Sequence, residues 1–249
     1  MQFVQSNIFA ILPRMKLDRL TAKHHSMGRT AAHRLIAAGR ACVDGVAITN
    51  GQHEVDRFMR VEIDGVAIQQ PARSLYIMLH KPVGILSATM DAEHLTVIDL
   101  IDDPDKASLH IAGRLDRSTT GLVLLTNDGR WSKRITDPQH KLPKVYVVET
   151  DTPIPTDAIA AFAAGFYFHT EDITTLPAAL EITGARSARL TLHEGRYHQV
   201  KRMFHRVGCR VTKLHRESIG IITLPSDLAA GQWRHLTSSE ADSVTTLHA

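Results

Sequence analysis

The stretch GRLDRSTTGLVLLTNDG, residues 113–129, sets one carboxylate, Asp116, between two arginines, Arg114 and Arg117. Cations beside a carboxylate favour its ionised form. An ionised Asp held against a substrate can attack a sugar carbon or take up a proton. Loop Asp residues also cap turns and helices, so the spacing alone leaves the chemical and the structural readings both open. The 15 histidines raise metal ligation as a second chemistry. His193 and His198 stand five apart, but no Cys or acidic cluster completes a tetrahedral set beside them, and no metal is expected. Cys42 and Cys209 form no CxxC pair, which speaks against a zinc ribbon or a thioredoxin-type site and suits a reducing cytosol. No P-loop or Rossmann glycine pattern occurs, and no cofactor is expected.

The elements that must position Asp116 can be read on either side of it. YIMLHKP predicts a buried strand ending at Pro82, and GLVLLTNDG predicts a strand closed by a turn at Asn-Asp-Gly. KVYVVET (144–150), AALEITG and ARLTLHEG predict further strands, and the Ala-rich residues 156–164 a helix. In HQVKRMFHRVG, Val200, Met203, Phe204 and Val207 fall at i, i+3, i+4 and i+7, one apolar helix face with Lys201 and Arg202 off the stripe. VTKLHRESIGIITL returns to strand character. Adjacent strands without regular helical crossovers predict an α+β domain with a mixed, mainly antiparallel sheet over residues 75–249.

Upstream, residues 15–70 predict a smaller unit. TAAHRLIAA (30–38) is helical in composition with Gly39 as its stop. Two Asp-Gly pairs, at 44–45 and 64–65, sit between β-favouring residues and predict hairpins. Residues 71–74 lack periodicity and read as a linker. Residues 1–14 read as an extension, without the basic start of a secretory signal, and Met15 is an alternative start. No apolar run approaches the ~20 residues of a membrane span.

At 43% hydrophobic and 22% charged, the chain is neither disordered, collagenous nor disulfide-built as a class. Its net charge of +3 is weak evidence for a nucleic-acid partner. The distribution says more. Residues 1–74 carry 10 basic and 6 acidic side chains, net +4. Residues 186–216 carry nine Lys or Arg against Glu194 alone, net +8, while residues 145–185 hold six acids and no Lys or Arg. Clustered cations are what phosphate recognition requires. Arg29, His33 and Arg40 are candidates for one RNA-facing helix face.

GRLDRSTTGLVLLTNDG resembles the signature of the RsuA family of pseudouridine synthases. HKPVG (80–84), KVY (144–146) and EGRYHQVKRMF (194–204) resemble the family's other motifs in the same order, and MKLDRL…GRTAAHRLIAAGRACVDG resembles its S4-type RNA-binding domain. The resemblance implies an S4-like domain over 15–70 and a pseudouridine synthase catalytic domain over 75–249. It implies Asp116 as the nucleophile, Tyr146 as the ring stacked on the flipped uracil, and Lys201 as the cation paired with the carboxylate, where relatives often have Arg. Arg114 is expected to hold RNA or the loop, Arg196 and Arg202 to contact RNA, and Lys81 to be structural.

The implied reaction breaks the N1–C1′ bond of uridine and rejoins the base through C5, an isomerisation without redox cofactor, ATP or metal. EGRYHQVKRMF resembles members acting on small-subunit (16S) ribosomal RNA; large-subunit (23S) members have Asn-Arg in place of Tyr-His. The expected partner is ribosomal RNA within a 30S assembly intermediate, and the expected state is a cytoplasmic monomer. A non-catalytic S4-type assembly factor is the rival reading, weakened by the co-occurrence of the GRLD loop, Tyr146 and Lys201. A hydrolytic nucleosidase would require a second catalytic carboxylate, and no motif supplies one.

Overall fold

A computed structural model describes residues 14–244, which divide into two units between Ser74 and Leu75. The extension expected at 1–14 lies, apart from Arg14, outside the described residues.

The first unit begins with β1 (Met15–Lys16), α1 (Leu17–His24) and α2 (Arg29–Ala37), followed by β2 (Ala41–Val43), β3 (Val46–Ile48), β4 (Glu54–Val55), β5 (Val61–Ile63) and β6 (Val66–Gln69). β1 pairs with β4, and β3-β2-β5-β6 form an antiparallel sheet. Both Asp-Gly pairs are hairpin turns. Asp44 and Gly45 have φ of 47° and 82°, and Asp64 and Gly65 have 52° and 77°, the paired positive φ of a type I′ turn. Leu17, Ile36, Val43, Val61 and Ile63 form the unit's own core.

The structure corrects the helix face proposed for Arg29, His33 and Arg40. Gly39, at φ 75°, ends the helix before Arg40. The Arg40 guanidinium instead forks onto the carboxylate of Asp64, with Nε 2.6 Å from Oδ1. Arg29 donates to the buried Asp18 at 2.9 Å, and His33 is exposed beside Gly51.

The second unit is built on a nine-stranded sheet, which a single sequence run rich in strand signals assembles out of order. Its strands are β7 (Tyr76–Lys81), β8 (His110–Ile111), β9 (Thr120–Thr126), β10 (Lys144–Thr150), β13 (Ala179–Gly184), β14 (Ser187–Leu192), β15 (Val211–Ile219), β16 (Ile222–Thr223) and β17 (Trp233–His235); β11 (Tyr167–Phe168) and β12 (Ile173–Thr174) make a separate hairpin. The order is β13-β14-β10-β15-β9-β7-β17, with β16 on β15 and β8 on β9. Among the described strands of this sheet only β15 and β9 run parallel, so the sheet is mixed and mainly antiparallel, as expected of this α+β chain. β7 and β9 are apolar on both faces because each face carries a core. Ile77, Leu79, Val123 and Leu125 join one cluster, and Met78, Leu122 and Leu124 the other.

α4 (Ala158–Ala164) and α5 (Gln199–Arg206) contribute Phe162, Met203 and Phe204 to the first core, and α3 (Gly129–Thr136) contributes Trp131 and Ile135 to the second. α6 (Ser238–Ser243) accepts the Trp131 indole N–H on Ala241 O at 2.9 Å. The Asn-Asp-Gly expected only as a turn also starts α3. Asp128 caps it, accepting from the amides of Arg130 and Trp131. GRWSKRIT shows few apolar residues, which is why its helical character is hidden.

At the junction of β9 and β15 one glycine is required. Gly121 has φ 108°, and a Cβ there would lie 2.3 Å from the Arg216 carbonyl oxygen and 2.6 Å from its amide nitrogen. Gly121→Ala therefore combines left-handed strain with a backbone collision. It is expected to destabilise the second unit by about 3 kcal/mol or more, read as a lowered midpoint in thermal or denaturant unfolding; an unchanged midpoint contradicts the close approach.

Candidate active site

Asp116 lies in the loop between β8 and β9, and two buried cations hold that loop by its carbonyls. Lys81, at the end of β7, has no exposed surface. Its ammonium donates to Pro82 O and Thr119 O at 2.9 Å and to Arg117 O at 3.3 Å. Arg216, on β15, is 2% exposed and donates to Leu122 O and Gly113 O at 2.9 Å and to Arg114 O at 3.4 Å. One cation thus grips the chain after Asp116 and the other grips it before. Ser87 Oγ accepts the Leu115 amide at 3.1 Å. Gly84 and Arg117 bond reciprocally, Gly84 N to Arg117 O at 2.8 Å and Arg117 Nε to Gly84 O at 3.0 Å. A carbonyl left without a partner in such a place costs about 1–3 kcal/mol, so these bonds favour the observed arrangement of the loop.

From the other side, α5 brings Lys201. Its Nζ is 2.8 Å from Asp116 Oδ2 and 3.0 Å from Ser118 Oγ. His198 Nε2 stands 3.4 Å from the other carboxylate oxygen, Oδ1. The turn leading into α5 is fixed by Glu194, which is buried and accepts from Leu176 N at 2.9 Å, Gln199 Nε2 at 2.7 Å and Arg196 Nε at 3.0 Å. His198 takes the left-handed conformation, φ 49°, as the helix begins.

The carboxylate opens on a cleft of about 870 Å³, within the range of sites that enclose a small ligand. Tyr146, on β10, lines it and is otherwise packed in the first core. In the sheet register Tyr146 stands directly opposite Arg216, so the aromatic and the buried guanidinium are neighbours beneath the loop. Lys144, two residues earlier on the same face, also lines the cleft. Burial holds its ammonium down to about 8, and the Arg216 charge adds to the effect. Arg114 is exposed at the cleft, and its guanidinium has no partner among the described residues.

The structure brings Asp116, Lys201, Tyr146 and Arg114 to one cleft. Arg196 lines the same cleft but is paired there with acids, and Arg202, outside the cleft lining, is directed to protein partners. Arg196 bonds Glu194 and reaches Glu171 at 3.3 Å. Arg202 pairs with Glu171 at 2.5 Å and lies 3.5 Å over the Phe168 ring. Arg202 ties the β11–β12 hairpin to α5 and Arg196 ties it to the turn before α5, because the acidic segment 145–185 supplies the Glu171 that the basic segment lacks. Sequence reasoning passed over His198, Lys144, Arg216 and Glu194 as site residues. For Arg216 a signal was present: in VTKLHRESI it falls in phase with the buried Leu214 and Ser218, which marks an inward-facing arginine.

A carboxylate ion-paired to a lysine, in a cleft whose charged lining is mainly cationic and with a buried tyrosine at its wall, is a set of groups suited to chemistry at a sugar carbon of a polyanionic substrate. Residues 75–206 match the RNA pseudouridylate synthase family, and the chain belongs to that family, in the RsuA group its motifs resemble. The chain is similar to the ribosomal small subunit pseudouridine synthase A of Pseudomonas aeruginosa, with 52% identity over 230 residues that cover 92% of this chain and 100% of the relative. The protein of that name from Escherichia coli (strain K12) is 45% identical over 230 residues, covering 92% of this chain and 100% of its own. A crystal structure described as a pseudouridylate synthase aligns with TM-score 0.68 at 36% identity, covering 92% of this chain and 99% of that one.

The Lys81 clamp has a pH dependence of definite sign. Burial lowers its pKa from 10.5 to about 8, against an opposing pull from Asp116. Below about pH 8 the ammonium serves three carbonyls. Above it the neutral amine has one hydrogen fewer, and one of the three carbonyls is expected to lose its donor. An unfolded Lys keeps its proton to a higher pH, so stability from this group rises across the same window. Catalysis is therefore expected to fall as pH passes about 8 while global stability is not lowered by Lys81. Lys81→Met is expected to cost about 10²-fold in single-turnover rate at neutral pH, the scale of a small misplacement of a reacting group. A variant as fast as wild type contradicts the clamp.

Proposed function

We propose that the protein converts a specific uridine of small-subunit (16S) ribosomal RNA to pseudouridine, with Asp116 as the catalytic carboxylate. The observation that carries this is the 2.8 Å pair of Asp116 with Lys201 at the mouth of the cleft. Lys201 holds Oδ2, and Oδ1, with only the longer contact to His198, is the oxygen available to the ribose. Attack at C1′ by a carboxylate follows glycosidase chemistry at a centre of oxocarbenium character; removal of a ribose proton by the same oxygen would also release the base. The freed uracil turns within the cleft, and C5 bonds C1′ as the bond to the Asp116 carboxylate breaks (or, on the other route, as the glycal takes back its ribose proton). C5 then gives up its proton and N1 ends protonated, so the change is an isomerisation with nothing gained or lost. Extruding the nucleotide costs a few kcal/mol, and stacking on Tyr146 returns about 1–3 kcal/mol. Arg114 is placed to meet a backbone phosphate.

The small-subunit target is supported by the names of the relatives and by the Tyr197-His198 pair of the basic motif; a large-subunit (23S) target is the alternative. Residues 15–70 serve as an S4-like RNA-docking domain joined by the 71–74 linker, with ribosomal RNA in a 30S assembly intermediate as partner. A cytoplasmic monomer fits this role, and no helix among the described residues is long and apolar enough to cross a membrane.

Asp116→Ala is expected to abolish pseudouridine formation on small-subunit RNA and on 30S intermediates while RNA binding is largely kept; residual isomerisation by the variant overturns the assignment. Removal of residues 1–74 is expected to weaken binding more than it slows the saturated reaction, with affinity falling steeply as salt is raised. A truncated chain that binds full-length substrate as tightly as the whole protein contradicts the docking role.

A further inference from the structure

We infer that Tyr197 is a second stacking platform, outside the uridine pocket, that receives a nucleobase flanking the target. The inference rests on the small-subunit RNA reading above and adds to it a contact that selects the RNA around the target. Tyr197 is 76% exposed, an unusual position for a large aromatic ring, and it lines the same cleft as Asp116. It is not loosely displayed. One face of the ring stacks on His198, with centroids 3.9 Å apart and planes inclined by 20°. Its carbonyl accepts from Arg202 Nη1 at 3.3 Å. The turn that carries it is anchored through the buried Glu194 and Gln199, with Arg196 N donating to Gln199 Oε1 at 3.0 Å. The ring is thus held from beneath and behind, and its phenol has no partner among the described residues.

An aromatic ring fixed on one side and open on the other suits a flat π-system, because stacking demands a pre-set plane and no directional bond. The surroundings favour a nucleobase. Arg114 and Lys201 line the same cleft, so a chain of phosphates can run beside the platform. The target uracil itself is accounted for by Tyr146, which lies buried at the cleft wall, and Tyr197 is too exposed to enclose it. The stack also has a chemical neighbour. His198, beneath Tyr197, is the residue 3.4 Å from Asp116 Oδ1, so a base seated on Tyr197 bears on the imidazole that touches the catalytic carboxylate. A base on the platform would press the Tyr197–His198 pair against the carboxylate, coupling recognition of the flanking nucleotide to placement of Asp116.

The test compares Tyr197→Ala and Tyr197→Phe with wild type on a small-subunit ribosomal RNA fragment. Affinity is read by fluorescence anisotropy, and stacking by quenching of 2-aminopurine placed on either side of the modified uridine. Tyr197→Ala is expected to raise Kd about 5- to 150-fold, to lose more in affinity than in the saturated single-turnover rate, and to relieve the quench at one flanking position. Tyr197→Phe is expected to bind and quench like wild type, since the ring rather than the hydroxyl makes the contact. Wild-type affinity in Tyr197→Ala, or equal loss in both variants, overturns the inference. Failure of wild type to form pseudouridine on this RNA would sink the target assignment, while the Kd comparison still decides the platform.

Discussion

The ion pair between Asp116 and Lys201 joins residues 85 positions apart in sequence, and the second unit can be understood as the scaffold that sets its 2.8 Å separation. Neither partner is deeply buried: the side chains are 28% and 31% exposed. An ion pair of that exposure contributes about 0–1 kcal/mol to stability, far less than the cores on the two faces of the sheet. Its position is therefore imposed by the fold rather than the other way round. The carboxylate is aimed by Lys81 and Arg216, which grip the loop on either side of it, and the ammonium is aimed by the apolar face of α5 and by the Glu194 turn.

That division of labour explains why so many charges of the catalytic unit are buried or nearly so. Lys81 and Arg216 sit at 0% and 2% exposure, where an unpaired cation would be prohibitive. Each is surrounded by main-chain carbonyls whose own need for partners it meets. Gly121 belongs to the same construction. With a side chain at this position β15 could not approach β9 so closely, and Arg216 would be moved from Leu122 O and Gly113 O. The +8 segment counted in the sequence thus separates into cations with different tasks: Arg216 builds the loop, Lys201 holds the carboxylate, and Arg196 and Arg202 bind the hairpin through Glu171.

The parts legible in the sequence were those written in local pattern. The Asp-Gly hairpins, the apolar run of β9 and the Val200, Met203 and Phe204 face of α5 each depend on neighbours in the chain, and each lies where the pattern puts it, while Val207, the last of the spacing, caps the helix one residue beyond its end. Asp116, Tyr146 and Lys201 were legible only through motif resemblance, since nothing in their local spacing distinguishes them from a turn carboxylate, a core aromatic and a solvated lysine. What stayed hidden depends on tertiary partners. Arg40 reads as a continuation of a basic helix until Gly39 ends it and Asp64 claims the guanidinium. α3 is masked because only Trp131 and Ile135 mark its buried side. His198 reads as a spare histidine until the left-handed turn at the start of α5 brings it to Asp116.

Under the proposed function, Asp116 acts because Lys201 holds it, at little consequence for folding. Single-turnover pseudouridine formation by Lys201→Met and Lys201→Arg, measured with the unfolding midpoint of each variant, tests this most directly. A loss of about 10²-fold or more is expected for Met, the scale of removing one fixed charge partner from a reacting centre, with most of the rate kept by Arg and the midpoint nearly unmoved in both. A Lys201→Met enzyme that reacts at the wild-type rate would contradict it.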